Sequence, residues 1–461
     1  MELKHYSKYK DSDIEWIADI PEDWIINKLK FLTLKKAQYG ANNEPEYNES
    51  KFDYRYIRIT DVNEKGGLRA DSLVYLSKEN ARGYVLNKGD ILFARSGATV
   101  GKVYHHSKDD ENCCFAGYMI RYVSDNSVLN PKFLLYYSLS LSYKDWIKIT
   151  SNQSTIENVS AEKYDNLPIP TPKIKQQKEI VDYLDEKTLE IDKTIKKDRK
   201  LIELLKEKRN AIINKSVTKG IYLDTNMKDS GIEWIGKIPK NWKVVPLTKF
   251  LESKVDYRGK TPEKVVDGIF LVTGKNIKDG KIDYDKSQEY VRKEQYGAIM
   301  RRGKPKKGDL LFTTEAPLGE VANIDYNKIA LAQRIIKMRG KEGVLDNYYL
   351  KYYMMSSTFQ GHLQRLATGS TALGIKASKL FILRLILPPY DEQLEIVNKL
   401  NEIYNKSNIT IQKIEKKIRL LEEYKKSLIN NVVTGKVDVR GDDSLNQIHQ
   451  KKDSKQTLLT I

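Results

Sequence analysis

Trp234-Ile235-Gly236-Lys237-Ile238-Pro239-Lys240-Asn241-Trp242 restates a phrase near the N-terminus, Trp16-Ile17-Ala18-Asp19-Ile20-Pro21-Glu22-Asp23-Trp24. The residues before it repeat as well: Lys10-Asp11-Ser12-Asp13-Ile14-Glu15 returns 218 positions on as Lys228-Asp229-Ser230-Gly231-Ile232-Glu233. Further matches follow in the same order. Lys88-Gly89-Asp90-Ile91-Leu92-Phe93 returns as Lys307-Gly308-Asp309-Leu310-Leu311-Phe312 at offset 219. Tyr136-Tyr137 returns as Tyr352-Tyr353, and Gln177-x-x-Ile180-Val181 as Gln393-x-x-Ile396-Val397, both at offset 216. Ordered matches in text rich in Trp, Pro and Gly mark a tandem duplication, not low-complexity similarity.

Each repeat has two parts. In the first, short β-type runs such as Tyr54 to Ile59, Asp90 to Phe93 and Met119 to Val123 are separated by Gly and Asn turns, and Pro131 to Ile147 reads as helical. The second part is one long helix. A 4-3 spacing picks out Leu184, Thr188, Ile191, Ile195, Asp198, Ile202, Leu205, Arg209, Ile212 and Ser216. In the other repeat it picks out Leu400, Tyr404, Ser407, Ile411, Ile414, Ile418, Leu421, Lys425, Leu428 and Val432. Such a seam with charged flanks predicts a coiled coil. Pro172 and Pro388-Pro389 mark the helix starts, Gly220 and Gly435 the stops.

An apolar stripe of that length must be covered, and within one chain the simplest cover is the other helix, antiparallel. The expected fold is therefore α+β: two tandem mixed α/β globules, each followed by a long helix, with the helices paired as an antiparallel coiled coil under pseudo-twofold symmetry. The expected boundaries are 1–172 and 221–388 for the globules and 173–220 and 389–436 for the helices. Residues 437–461 read as a polar, flexible tail.

Composition bounds the function. The chain has 461 residues and a formal charge of +18, which points to a polyanionic partner. Two cysteines exclude a disulfide framework. The N-terminus has no apolar signal core, and no apolar run reaches the roughly 18 residues of a membrane helix. A cytoplasmic protein without membrane contact is expected.

Catalytic patterns fail one by one. Gly97-Ala98-Thr99-Val100-Gly101-Lys102-Val103 is a residue short of a phosphate loop and lacks its hydroxyl. Leu387-Pro388-Pro389-Tyr390 has Leu where an amino-methyltransferase motif needs Asp or Asn. His105-His106 and Cys113-Cys114 are adjacent pairs, and neighbours on a strand point to opposite faces, so an ordinary hairpin is preferred to a metal site. The chain is expected to be a non-catalytic binder with no cofactor or metal of its own.

At this point the sequence resembles the specificity (S, HsdS) subunit of type I restriction-modification enzymes. The resemblance rests on the W-I-G-x-I-P-x-x-W phrase, the twice-present G-D-[IL]-[IL]-F strand, and the helix entry Pro388-Pro389-Tyr390-Asp391-Glu392-Gln393-Leu394-Glu395-Ile396. The first copy departs from that entry, with Lys175-Gln176-Gln177 and no Glu. The resemblance implies two target-recognition domains, each reading one half of a bipartite site in double-stranded DNA, with the helices setting the spacer and docking the methyltransferases. It implies assembly with two modification subunits, which use S-adenosylmethionine, and two restriction subunits, which use ATP and Mg. A coiled-coil scaffold or RNA-binding adaptor is the alternative.

Candidate DNA-binding residues lie in polar loops beside the repeated strands. One set is Arg95, Ser96, Thr99 and Lys102, facing Thr313, Thr314 and Glu315 in the second repeat. Another is Arg58, Thr60 and Asn63, facing Lys275 and Asn276. Gln333 and Arg334 could read adenine and guanine, with Tyr118 at the corresponding place. Ser154 and Thr155 face Ser370 and Thr371.

Overall fold

The computed structural model describes residues 4–45, 53–69, 73–97, 99–107, 112–151, 158–222, 224–257, 262–326, 328–369 and 373–441. It divides into two compact units, residues 1–197 with 416–461, and residues 198–415. Each unit therefore holds one globule and a part of both long helices.

In the first unit, after the short pair Tyr9–Lys10 with Ile20–Pro21, the strands are β1 (Ile25–Lys28), β2 (Gln38–Tyr39), β3 (Tyr54–Ile57), β4 (Tyr75–Leu76), β5 (Ile91–Ala94), β6 (Val103–His105), β7 (Cys113–Phe115), β8 (Met119–Tyr122) and β9 (Pro168–Thr171). An antiparallel sheet has the order β2-β8-β5-β6. A second has the order β4-β3-β7, in which β3 and β7 run parallel. β9 pairs with β1. The two adjacent cysteines of β7 point to opposite faces and enter different apolar clusters, Cys113 with Leu92 and Tyr104, Cys114 with Tyr56 and Leu76. His106 is buried, its Nδ1 2.9 Å from the Tyr104 hydroxyl.

Helix α1 (Pro131–Leu139) is followed by α2 (Leu141–Ser151). The sequence reads as one continuous helix here, and Ser140 explains the break. Its extended backbone (φ −71°, ψ 164°) ends α1. Its hydroxyl donates to Tyr137 O at 2.6 Å and accepts from Tyr143 N at 3.2 Å, serving both helix ends. The long helix α3 (Ile174–Lys219) begins in this unit.

The second unit repeats the plan. Besides the short pairs Met227–Asp229 with Lys237–Pro239 and Ile277–Lys278 with Lys281–Ile282, its strands are β10 (Lys243–Pro246), β11 (Leu251–Asp256), β12 (Ile269–Val272), β13 (Tyr290–Val291), β14 (Leu310–Thr314), β15 (Leu318–Asn323), β16 (Ala330–Leu331), β17 (Ile335–Gly340) and β18 (Arg384–Leu387). Besides the one-turn helix Tyr296–Ile299, its α-helices are α4 (Asn347–Met355), α5 (Ser357–Leu366) and α6 (Tyr390–Val433), the second long helix. The sheets have the orders β11-β17-β14-β15 and β13-β12-β16, with β12 and β16 parallel, and β10 pairs with β18. Ser356 does between α4 and α5 what Ser140 does in the first unit, donating to Tyr353 O and accepting from Phe359 N. Along β14 the period of two separates the faces. Leu310 and Phe312 pack on the cluster that includes Leu400 and Ile213 of the long helices, whereas Leu311 packs with Leu271 and Ile335.

The repeated Gly-Asp ahead of β5 and β14 is a turn device. Gly89 and Gly308 adopt φ of +94° and +87°, and each following Asp accepts from a backbone N–H three residues back, Asn87 at 2.9 Å and Lys306 at 3.0 Å. Burial raises the Asp90 carboxyl above its ordinary range, and Arg121, 3.5 Å away, opposes that shift. Asp309 takes the equivalent cations, Arg339 at 2.6 Å and Lys337 at 3.4 Å.

A buried glutamine anchors each long helix. Gln177 Nε2 donates to Pro172 O and Val128 O, both at 2.8 Å, while its Oε1 accepts from Asn130 N at 2.8 Å. Gln393 does the same with Pro388 O at 3.0 Å, Val344 O at 2.9 Å and Asp346 N at 2.9 Å. The repeated tyrosine pair adds two ties. Tyr136 and Tyr352 donate to Asp185 and Asn401 on the long helices, both at 2.7 Å. Tyr137 and Tyr353 donate to Pro168 O and Arg384 O on the preceding strands.

None of the twenty seam positions is exposed, and the apolar members Leu184, Ile191, Ile195, Leu400, Ile411, Ile418 and Leu428 are buried. Ile202, Leu205, Ile212, Ile414 and Leu421 are half-buried. In the first unit Lys425 Nζ lies 2.8 Å from Asp192 Oδ2, and in the second Arg209 donates to Asn408 at 2.8 Å. Positions rise on α3 as they fall on α6, so the pairing is antiparallel.

The helix stops are where the tryptophan phrases dock. Gly435 has φ +74°, and a Cβ there would lie 2.3 Å from Pro21 Cδ and 3.3 Å from Trp24, so glycine is needed on two counts. Gly220 faces Trp242 and Pro239, but a Cβ there would meet them at 3.6 and 3.9 Å, so only its φ of +86° calls for glycine. The helix-entry residues that differ between the copies have different partners. Glu392 accepts from Trp242 Nε1 at 2.9 Å, whereas Gln176 donates to the Tyr6 hydroxyl at 2.8 Å. Of the segment expected as a tail, Val437 and Val439 are buried and Asp438 N donates to Lys4 O at 2.8 Å; residues 442–461 lie outside the described residues.

Two substitutions should move stability in opposite directions. Gln393→Ala leaves three backbone groups without their partner, one of these bonds buried and two part-buried, at about 1–3 kcal/mol for a fully buried group, so chemical denaturation should show a clear loss of stability. Lys351, on α4, is buried against the rings of Tyr352, Tyr348 and Tyr404. Burial, helped by the nearby Lys281, lowers its ammonium to about 8, and Asp346 only partly offsets this. With the folded-state value below the unfolded one, the cost is fully present below pH 8 and fades as the pH rises toward the ordinary lysine range. Lys351→Met should therefore raise the melting temperature at pH 7.5, and its advantage over the parent should shrink by pH 10.

Candidate nucleic-acid interface

The end of β5 in the first unit and the end of β14 in the second form the same backbone frame. Arg95 N donates to Tyr118 O at 3.0 Å, and Val159 N donates to Arg95 O at 2.8 Å. Thr314 N donates to Arg334 O and Ile375 N to Thr314 O, both at 2.9 Å. A β-bridge closes each frame, Ser96 with Asn158 and Glu315 with Gly374. Arg95 thus corresponds to Thr314, Ser96 to Glu315 and Tyr118 to Arg334.

On this shared frame the side chains differ. In the first unit the Arg95 guanidinium lies over the Tyr39 ring, 4.9 Å from its centroid, and Tyr39 accepts from Ala161 N at 3.1 Å. Tyr118 stands 66 % exposed at the turn before β8. A flat guanidinium stacked on an aromatic ring keeps its donor edge available for a base or phosphate. In the second unit Arg334 is exposed, and its Nε lies 3.5 Å from Glu315 Oε2. Beside Glu315 a cavity of about 300 Å³ is lined by Ala316, Pro317, Leu318, Leu363, Leu373, Gln360 and Gln364. Tyr39 was not legible as a site residue: it sits on a two-residue strand far from Arg95 in sequence, and no local pattern marks it.

Several of the sequence candidates have hydrogen-bond partners within the fold. Asn276 is fully buried; its Oδ1 accepts from Thr273 N and Oγ1, and its Nδ2 donates to Asp283 O and Ser287 O. Thr313 is fully buried, its hydroxyl between Glu320 N and O. Thr314 is buried with its hydroxyl on Arg334 O. Asn63 holds its own turn through Lys65 N, Gly67 N and Leu68 O. Arg58 is engaged with buried Asp61 through Nε and Nη2, at 3.2 and 3.0 Å. Lys102 pairs with Glu64 at 2.8 Å, which lowers the glutamate's pKa through hydrogen bonding and charge. Ser96, Thr99 and Gln333 are half-buried, while Thr60 and Lys275 are exposed. Ser154, Thr155, Ser370 and Thr371 lie outside the described residues.

Two globules of one topology, offering different polar side chains from one frame and each continued by a long helix, form the architecture of the type I specificity subunits. The description "Type I restriction modification DNA specificity domain" matches residues 21–205 and 239–420. The chain belongs to this family, and it is the non-catalytic DNA specificity subunit of a type I restriction-modification enzyme. It is 26 % identical over 436 residues to the MjaVIII specificity subunit of Methanocaldococcus jannaschii, covering 91 % of this chain and 94 % of that one. It is 20 % identical over 440 residues to the EcoKI specificity subunit of Escherichia coli K12, covering 91 % and 90 %. The fold matches a chain from a structure on complex assembly and conformational transition of the type I R-M system, with a TM-score of 0.68, 15 % identity and coverage of 92 % and 99 %. The HsdS subunit from Thermoanaerobacter tengcongensis matches with a TM-score of 0.51, 17 % identity and coverage of 91 % and 98 %. Among the described residues no helix is long and apolar enough to cross a membrane.

Neighbouring residues should separate the two roles. Asn276→Ala should cost about 1–3 kcal/mol, because it leaves buried carbonyls unpaired. Lys275→Ala should change stability by no more than about 0.5 kcal/mol. Denaturant melts of both variants check this.

Proposed function

We propose that the globules of residues 1–172 and 221–388 are target-recognition domains, each reading one half of a bipartite, asymmetric site in double-stranded DNA. The helices, residues 173–220 and 389–436, set the spacer between the half-sites and dock two modification subunits. Two restriction subunits complete the enzyme, which acts in the cytoplasm. S-adenosylmethionine then belongs to the modification subunits, and ATP and Mg to the restriction subunits. Target adenines are flipped into the modification subunits, because an amine inside the stack is out of reach.

The observation that carries this reading is the shared frame with unlike side chains. Duplication kept the backbone that presents Arg95, Ser96 and Tyr118, while the equivalent places became Thr314, whose hydroxyl turns inward to the Arg334 carbonyl, Glu315 and Arg334, as two different half-sites require. The charge of +18 supports a phosphate-rich partner. Phosphate contacts would fix register, and groups at base edges would carry the sequence information. Apolar side chains exposed off the seam, Leu189, Leu204, Leu420 and Tyr424, support the docking role of the helices.

Exchange of residues 1–172 for those of a relative should change one half of the methylated motif and leave the other intact, as read by methylome sequencing. A change in both halves would overturn the modular assignment. A heptad inserted into each long helix, after Ile195 and after Ile411, keeps both seams in phase and adds roughly 10 Å of helix. The methylated motif should keep its half-sites and gain about three base pairs of spacer, at roughly 3.4 Å each. An active enzyme with the parent's spacer would refute the ruler role.

A further inference from the structure

Resting on the reading that the second repeat recognises one half-site, we infer that Arg334 reads a guanine there and that Glu315 is the residue that aims it. Arg334 occupies the turn between β16 and β17 at φ +70°, a conformation suited to Gly or Asn. Its carbonyl is held there by two donors of one residue, Thr314 N at 2.9 Å and Thr314 Oγ1 at 3.1 Å. The backbone under this arginine is thus fixed while its side chain points into solvent.

The guanidinium is oriented as well. Glu315 Oε2 lies 3.5 Å from Nε, the inner nitrogen, so the outer edge with its two terminal nitrogens is left to face a base. That edge matches O6 and N7 of guanine in the major groove. Glu315 is itself held by the bridge of its backbone to Gly374, with its Cβ and Cγ against that glycine. Both members of the ion pair are more than a third exposed, so the pair adds little to folding stability. The equivalent places in the first repeat are Tyr118 and Ser96, which offer no such fork, so this guanine contact belongs to one half-site only.

The test uses the methyltransferase assembled with its modification subunits and duplexes carrying its own motif, found by methylome sequencing. Each guanine of the half-site that follows residues 221–388 in a domain exchange is replaced singly by 7-deazaguanine, which keeps base pairing and removes N7. The parent enzyme should lose about tenfold to a hundredfold in affinity at one of these positions. In Arg334→Ala and Arg334→Gln the same replacement should have no further effect. Glu315→Gln, which keeps the shape and loses the charge that orients the arginine, should shrink the penalty at that guanine. If both Arg334 variants keep the full 7-deazaguanine penalty at every guanine, the inference is overturned. It is equally overturned if they weaken motif and motif-free DNA alike with a smaller salt dependence, the signature of a phosphate contact. A motif in which neither half follows residues 221–388 would instead overturn the reading on which the inference rests.

Discussion

The position of each long helix depends on one buried side chain. Gln177 and Gln393 sit one turn into α3 and α6, at 0 % exposure, and each satisfies two backbone carbonyls and one backbone N–H from segments ahead of the helix. A planar amide can do this because it carries donors and an acceptor on one stiff group. An aliphatic side chain would bury as well but leave three polar groups stranded; a glutamate would meet two carbonyls with acceptors only. The glutamine therefore fixes the direction in which the helix leaves its globule. The tyrosine pairs one turn along α1 and α4 tie the same helices and strands a second time.

With the scaffold held this way, variation can be confined to a few side chains. The frames at Arg95 and Thr314 are built from main-chain hydrogen bonds, which do not depend on residue identity. Side chains on them can change without disturbing the sheet, provided the inward residues of β5 and β14 stay apolar. Burial draws the line between the two kinds of position. Asn276 and Thr313 face inward and are spent on the fold, while Tyr118, Lys275 and Arg334 face outward.

The helices were legible because a period holds over many turns, and proline and glycine mark their ends. The Gly-Asp strand and the tandem plan were legible because both copies carry them. Other features turn on contacts between residues distant in sequence. Ser140 splits a helix through its own hydroxyl, and nothing in the apolar spacing announces that. Asn276 resembles a polar loop residue until its four hydrogen bonds are seen. The stacking of Arg95 on Tyr39 and the pairing of Arg334 with Glu315 are likewise products of the folded sheet. The candidate positions stand out in the sequence by their place in the repeat, and burial separates those that face inward from those that face solvent.

The docking of Pro21 and Trp24 on Gly435 has a consequence for synthesis on the ribosome. The second unit is one continuous stretch, 198–415, while the first needs residues 416–441 to cover surfaces made hundreds of residues earlier. The N-terminal globule is therefore translated first and finished last. Until the final turns of α6 emerge, Trp24 and the early seam residues of α3 wait uncovered, a state in which apolar surface is open to aggregation. A truncation near the C-terminus would thus damage the oldest part of the nascent chain, not the newest.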